Sequence, residues 1–139
     1  MQGSPDNVKQ AAVKTTVVRS DDSFKRVIIR QDYGKKCVRI HCFVAGYHYH
    51  DGDSIIDLLH PREDLLLVRE LYNPYDPHAI AVYSKDYVQL GYVPRIITPL
   101  IAPELESGTV ACQLKKINRK EYYDDYVRLE IMIRFPAEK

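Results

Sequence analysis

Asn73, Pro74, Tyr75 and Asp76 form one run between two apolar stretches. Pro fixes φ, and Asn and Asp accept hydrogen bonds from nearby backbone N–H groups, so the run reads as a rigid turn. A tyrosine held there can stack on a nucleic-acid base, and a carboxylate can accept from a sugar hydroxyl. The plainer reading is an interstrand loop in which Tyr75 covers the edge of the core. Ala45-Gly46-Tyr47-His48-Tyr49-His50 is a second aromatic cluster. On a strand, Tyr47 and Tyr49 would share one face and His48 and His50 the other. Tyr49 would then be a second stacking surface opposite Tyr75. A third run is Gly91-Tyr92-Val93-Pro94-Arg95. Pro94 suits the first turn of a helix. Arg95 would then oppose the helix dipole unless an anion came to it.

His48-x-His50 is a chelating spacing, with Asp51 and Asp53 close by. No third ligand is fixed by spacing, so a metal-dependent hydrolase built on His48, His50 and Asp51 ranks last among the functional readings. No Ser or Cys sits in a nucleophile motif, and there is no Gly-rich phosphate loop and no HExxH. A non-catalytic module without a cofactor is expected.

The 139 residues, 45% of them apolar, suit one domain with a real core. The net charge of +1 is unevenly spread: residues 1–41 hold nine Lys/Arg and four acids, 42–112 four and ten, and 113–139 seven and five. Phosphate contacts would have to come from the basic flanks, where Arg39, Lys115, Lys116, Arg119 and Lys120 lie. Cys37, Cys42 and Cys112 form no CxxC and read as buried thiols in a reducing compartment. No stretch is long and apolar enough to span a bilayer, so an intracellular, cytoplasmic protein without a membrane partner is expected.

Residues 1–12 read as a flexible tail and 13–139 as one domain. Val13–Arg19 and Phe24–Arg30 predict a hairpin around Asp21-Asp22-Ser23. Strands are expected over Lys36–Gly46, Leu65–Arg69, Ala79–Ser84, Tyr87–Val93, Thr109–Ile117 and Tyr126–Phe135, with a short Lys85-Asp86 turn joining Ala79–Ser84 to Tyr87–Val93 as a hairpin. Val127, Leu129, Ile131 and Ile133 fall on one face of the last strand, and Arg128, Glu130, Met132 and Arg134 on the other. Between Pro94 and Gly108 the apolar spacing is helical, but Pro99 and Pro103 predict a short, distorted helix. The fold class is all-β: a small OB- or SH3-like antiparallel barrel with one short helix.

The order Val44-Ala45-Gly46, Leu65 to Arg69, Asn73-Pro74-Tyr75-Asp76, Ala79-Ile80 and Gly91-Tyr92-Val93-Pro94-Arg95 resembles the HIRAN domain over roughly residues 38–108. That family occurs as an accessory module of DNA-remodelling ATPases and as free-standing bacterial proteins. The resemblance implies an OB-like barrel that captures the 3′ end of single-stranded DNA. By motif, Tyr75 and Tyr49 match the two stacking tyrosines, Asp76 the acceptor of the 3′-hydroxyl, and Arg95 a phosphate-contacting cation. A phosphate-binding arginine of the family falls at His48, a weaker anion ligand than a guanidinium. Asn73 and Tyr92 complete the candidate set. Remodelling would need a separate helicase, ATPase or nuclease partner. The alternative is a protein-interaction module that kept the barrel and lost the DNA site.

Overall fold

The computed structural model describes residues 13–18, 27–32, 34–119 and 127–137. The expected tail and the Asp21-Asp22-Ser23 turn lie outside them. Among the described residues the strands are β1 (Val13–Val18), β2 (Val27–Asp32), β3 (Cys37–Phe43), β4 (Asp64–Arg69), β5 (Ile80–Tyr83), β6 (Gln89–Tyr92), β7 (Ala111–Arg119) and β8 (Val127–Pro136), and an α-helix, α1 (Thr98–Ser107), separates β6 from β7.

All strand pairings are antiparallel, in the order β1-β2-β3-β8-β7-β4-β5-β6. The sheet curls until its far edge meets the continuation of β3. There Ala45 and Tyr92 exchange two backbone hydrogen bonds, 2.7 and 2.8 Å long. On its other side the same continuation is held to β8, where Val44 N–H donates to the Leu129 carbonyl at 2.9 Å. Gly91 permits this seam. Its φ is +153°, and a Cβ there would collide with the Ala45 carbonyl and Val44 Cγ1.

The curl has a sequence cause. In β8, Val127, Leu129, Ile131, Ile133 and Phe135 are buried, while Arg128, Glu130, Met132 and Arg134 point outward. Period-two alternation gives the strand one inward face. Ile40 and Cys42 from β3, Cys112 and Leu114 from β7, and Ile80, Val82 and Leu90 from β5 and β6 meet it in one core. Each fully buried aliphatic side chain contributes roughly 1.5–3 kcal/mol by leaving water. Cys42 and Cys112 are buried and unpaired, and burial pushes the Cys42 thiol up to about 12. Cys37 is only half-buried.

Two local expectations change. The strand expected over Lys36–Gly46 ends at Phe43, because Gly46 adopts a left-handed φ of 70° and turns the chain into a 3₁₀ turn over Tyr47–Tyr49. The β5–β6 connection is wider than Lys85-Asp86: Ser84 and Val88 close it, and Tyr87 takes a positive φ of 65°. The short, distorted helix is present as expected: a 3₁₀ turn over Arg95–Ile97 leads into ten residues of α-helix. Pro99 lies in the first helical turn, where its missing N–H costs nothing. Pro103 lies inside the helix and forfeits one internal bond. Gly108 ends the helix at φ 74°, as expected.

Candidate functional site

The Asn73–Asp76 turn connects β4 to β5. Asn73 Oδ1 accepts from the backbone N–H groups of Tyr75 (2.8 Å) and Asp76 (3.0 Å). Its Nδ2 donates to Glu70 Oε1 at 2.9 Å. Asp76 Oδ1 then accepts from the His78 N–H at 2.9 Å, which extends the locked segment. With its backbone donors satisfied locally, the turn holds Tyr75 outward at 89% exposure. The reading in which Tyr75 covers the core edge is therefore wrong.

The facing wall is built differently. The 3₁₀ turn leaves Tyr49 88% exposed, whereas Tyr47 is buried. The two tyrosines do not share a face, because residues two apart on a 3₁₀ turn diverge instead of aligning as on a strand. Tyr47 anchors the turn. Its hydroxyl donates to Asp53 Oδ1 at 2.9 Å, and its ring lies so close to Gly52 that a Cβ there would overlap it. Burial, with Asp53 beside it, pushes the Tyr47 hydroxyl well above the usual tyrosine range.

Between these walls lies a cleft of about 720 Å³. Tyr49 and His48 line one side, Asn73, Tyr75 and Asp76 another, and Tyr92 and Arg95 line it as well. All seven sequence-derived candidates thus border one cavity. Arg95 sits on the 3₁₀ turn ahead of α1, not at its first helical residue. Its countercharge comes from within the chain: Nε lies 3.4 Å from Asp76 Oδ2, and Nη2 donates to the Tyr75 carbonyl at 3.4 Å. The Asp76 side chain is 18% exposed and the Arg95 side chain 75%. The carboxylate is therefore fixed at the wall while its partner can reorient.

Two residues of this site escaped sequence reasoning. Glu70 Oε1 also accepts from the Tyr92 hydroxyl at 2.8 Å, so one carboxylate ties β6 to the Asn73 turn. Burial, and the adjacent Glu70 charge, raise the Tyr92 hydroxyl above its usual range. Arg128, on the outer face of β8, also lines the cleft, with its guanidinium 5.9 Å from the Phe43 ring centre. A second, more open groove of about 620 Å³ shares Asn73, Tyr75 and Tyr92 with the cleft and adds Glu70 and Tyr72.

The chelating group is not assembled. His48 packs edge-on against Tyr47 and His50 against Tyr92, with ring centres 5.6 and 5.4 Å apart. Among the described residues no three His, Cys, Asp or Glu side chains gather closely enough to hold a metal ion.

A HIRAN domain family model matches residues 38–138. The chain belongs to the HIRAN domain family. The match runs beyond the 38–108 block to take in β7 and β8. HIRAN domains are known as nucleic-acid-binding modules. The crystal structure of the HIRAN domain of human HLTF superposes with a TM-score of 0.55 at 18% identity, covering 72% of this chain and 77% of that one. A crystal structure of a Lactobacillus plantarum protein gives 0.54 at 23% identity, covering 68% and 91%. At these identities the likeness shows the fold. No curated protein matches the sequence. Among the described residues no helix of this HIRAN domain is long and apolar enough to cross a membrane.

Proposed function

We propose that this HIRAN domain binds single-stranded DNA at a free 3′ end. The reading rests on one observation: two exposed tyrosines and a fixed, arginine-paired carboxylate border a single cleft. The terminal base stacks between Tyr49 and Tyr75. Each base–aromatic contact is worth roughly 1–3 kcal/mol and tolerates any base. Asp76 accepts from the 3′-hydroxyl. Its oxygens already meet the His78 N–H and Arg95, but a carboxylate has about four acceptor positions. Arg95, exposed and flexibly tethered, moves toward the terminal phosphodiester. His48, which lines the cleft, meets that phosphate, and Asn73 and Tyr92 hold the walls. Remodelling of the bound DNA falls to a separate helicase, ATPase or nuclease partner.

The test is a titration with one oligonucleotide carrying either a free 3′-hydroxyl or a 3′-phosphate. A phosphate would set negative charge against Asp76, so binding should weaken at least about tenfold, or roughly 1.4 kcal/mol. A 5′-phosphate should matter little. Equal binding of both 3′ ends would leave the second reading, a protein-interaction module. The acidic central block and His48 in place of an arginine favour that alternative. His48→Arg should tighten DNA binding if the position meets a phosphate, and unchanged affinity would remove it from the site.

A further inference from the structure

Three arginines of the basic flanks converge on one surface. Register places Arg30 of β2 opposite Arg39 of β3, and Arg39 opposite Arg134 of β8. Three guanidinium-bearing residues therefore stand abreast on the outer face of the sheet, on neighbouring strands about 5 Å apart. Like charges directly opposite one another on adjacent strands repel. Asp32 lies 3.5 Å from Arg39 and offsets one of the three. Among the described residues, Arg30 and Arg134 have no ion-pair partner, and both are exposed. Arg39 Nε is buried without an acceptor. In the next row His41 sits between these charges; burial lowers its proton affinity first, and Lys115, Arg30 and Arg39 lower it further, against Glu130. Two further acids stand on this face: Glu130 opposite Lys116, and Asp64 of β4, which lies in the His41 row and accepts from Gln113 Nε2 at 3.4 Å.

The same face of β8 leads to the cleft. Arg128 lines the cleft at one end of the strand, and Arg134 lies six positions along it. At about 3.3 Å per residue the two are roughly 20 Å apart. A stacked strand places one phosphate every 3.4 Å or so, giving about six phosphates over that distance.

We propose that the Arg30–Arg39–Arg134 row is a second nucleic-acid contact, which binds the phosphodiester backbone of the single strand several nucleotides away from the end held in the cleft. The proposal goes beyond end capture and depends on it only for where the strand begins. It also resolves a conflict in the charge distribution. The cleft lies in an acidic block, and the neutralising charge stands on the outer face of the adjoining strands.

The test pairs Arg30→Gln/Arg134→Gln with wild type and leaves the Arg39–Asp32 pair intact. Two probes are used: a thymidine trinucleotide that fits the cleft and a thymidine 12-mer that reaches the row, both with free 3′-hydroxyls. The double variant should bind the 12-mer about tenfold more weakly at low salt, and the slope of log affinity against log salt should flatten by about 1.4 for two lost phosphate contacts. Trinucleotide binding should be unchanged, and the melting temperature should hold or rise as repulsion is relieved. An unchanged 12-mer affinity and slope would overturn the proposal. So would equal losses for both probes, which would place the arginines in the cleft or in the fold. Binding to phosphatidylserine vesicles without any to the 12-mer would overturn it in favour of a membrane surface. If wild type shows no 3′-end preference but its 12-mer binding still depends on the row, end capture fails and this inference stands.

Discussion

The two walls of the cleft present tyrosines of nearly equal exposure, 88% for Tyr49 and 89% for Tyr75, held by opposite means. Tyr75 is fixed from the side: Asn73, Glu70, Asp76 and Arg95 bond to the backbone and to one another around it. Tyr49 is fixed from below, on a turn with two backbone bonds whose buried neighbour Tyr47 is wedged over Gly52 and tied to Asp53. The polar wall can be weakened one hydrogen bond at a time. The packed wall gives way only when its anchor moves.

The largest effect should follow from attacking that anchor. Gly52→Ala forces a methyl into the Tyr47 ring. Overpacking of this kind costs about 1–3 kcal/mol, and here the upper end is expected because Tyr47 has no exposed side to retreat to. Urea unfolding would show it. A variant as stable as wild type would mean that the Tyr49 wall is as yielding as it looks from outside.

Removing the stacking faces should separate affinity from stability. Tyr75→Ala and Tyr49→Ala are each expected to weaken single-stranded DNA binding by roughly 1–3 kcal/mol. Unfolding free energy should change by less than about 0.5 kcal/mol for such exposed groups. Titration beside urea unfolding checks both, and wild-type affinity in both variants would rule out the sandwich.

Asn73→Ala tests the polar wall. It removes the acceptor for two backbone N–H groups and a donor to Glu70, and should cost about 1–2 kcal/mol in stability. DNA affinity should fall as well, although Asn73 need not touch the ligand, because Tyr75 and Asp76 lose their fixed placement. Loss of stability with full affinity would show that the wall tolerates a loose turn.

The smallest effect concerns alkaline pH and the strut between the walls. Tyr92 has its proton affinity raised in the folded state, by burial and by Glu70. The associated stability is present below the unfolded tyrosine value of about 10 and is lost as pH rises through the higher folded value. Tyr92→Phe should therefore unfold less steeply with pH above about 10, while losing a hydrogen bond worth roughly 1 kcal/mol at neutral pH. Identical alkaline profiles would show that Tyr92 does not set the limit.

Much of this was legible in the sequence because local rules decide it. The alternation of Val127, Leu129, Ile131 and Ile133 fixes the inner face of β8, and the Asn73 turn follows from side chains bonding to backbone two and three residues on. Tyr47 to His50 misled because alternating aromatic and imidazole residues carry a strand's signature, and only the left-handed Gly46 turns them into a 3₁₀ turn. Glu70 was hidden because its contact with Tyr92 spans 22 residues. The arginine row was hidden for a related reason: register between strands cannot be read from any one of them. The short, distorted helix was legible from its prolines, Pro103 falling inside it and Pro99 where a helix tolerates proline best.

The seam between Ala45 and Tyr92 gives the cleft a mechanical property. The sheet is closed there by two backbone bonds, and the cleft lies across the join, with residues from Phe43 to Tyr49 on one bank and Tyr92 to Ile96 on the other. A strand bound in the cleft would act as a suture. Each contact it made to opposite banks would have to break before the sheet could uncurl there. The amide hydrogens of Ala45 and Tyr92 would then exchange with solvent more slowly in the bound state than in the free one, by a factor that reports how much of the binding energy is carried across the join.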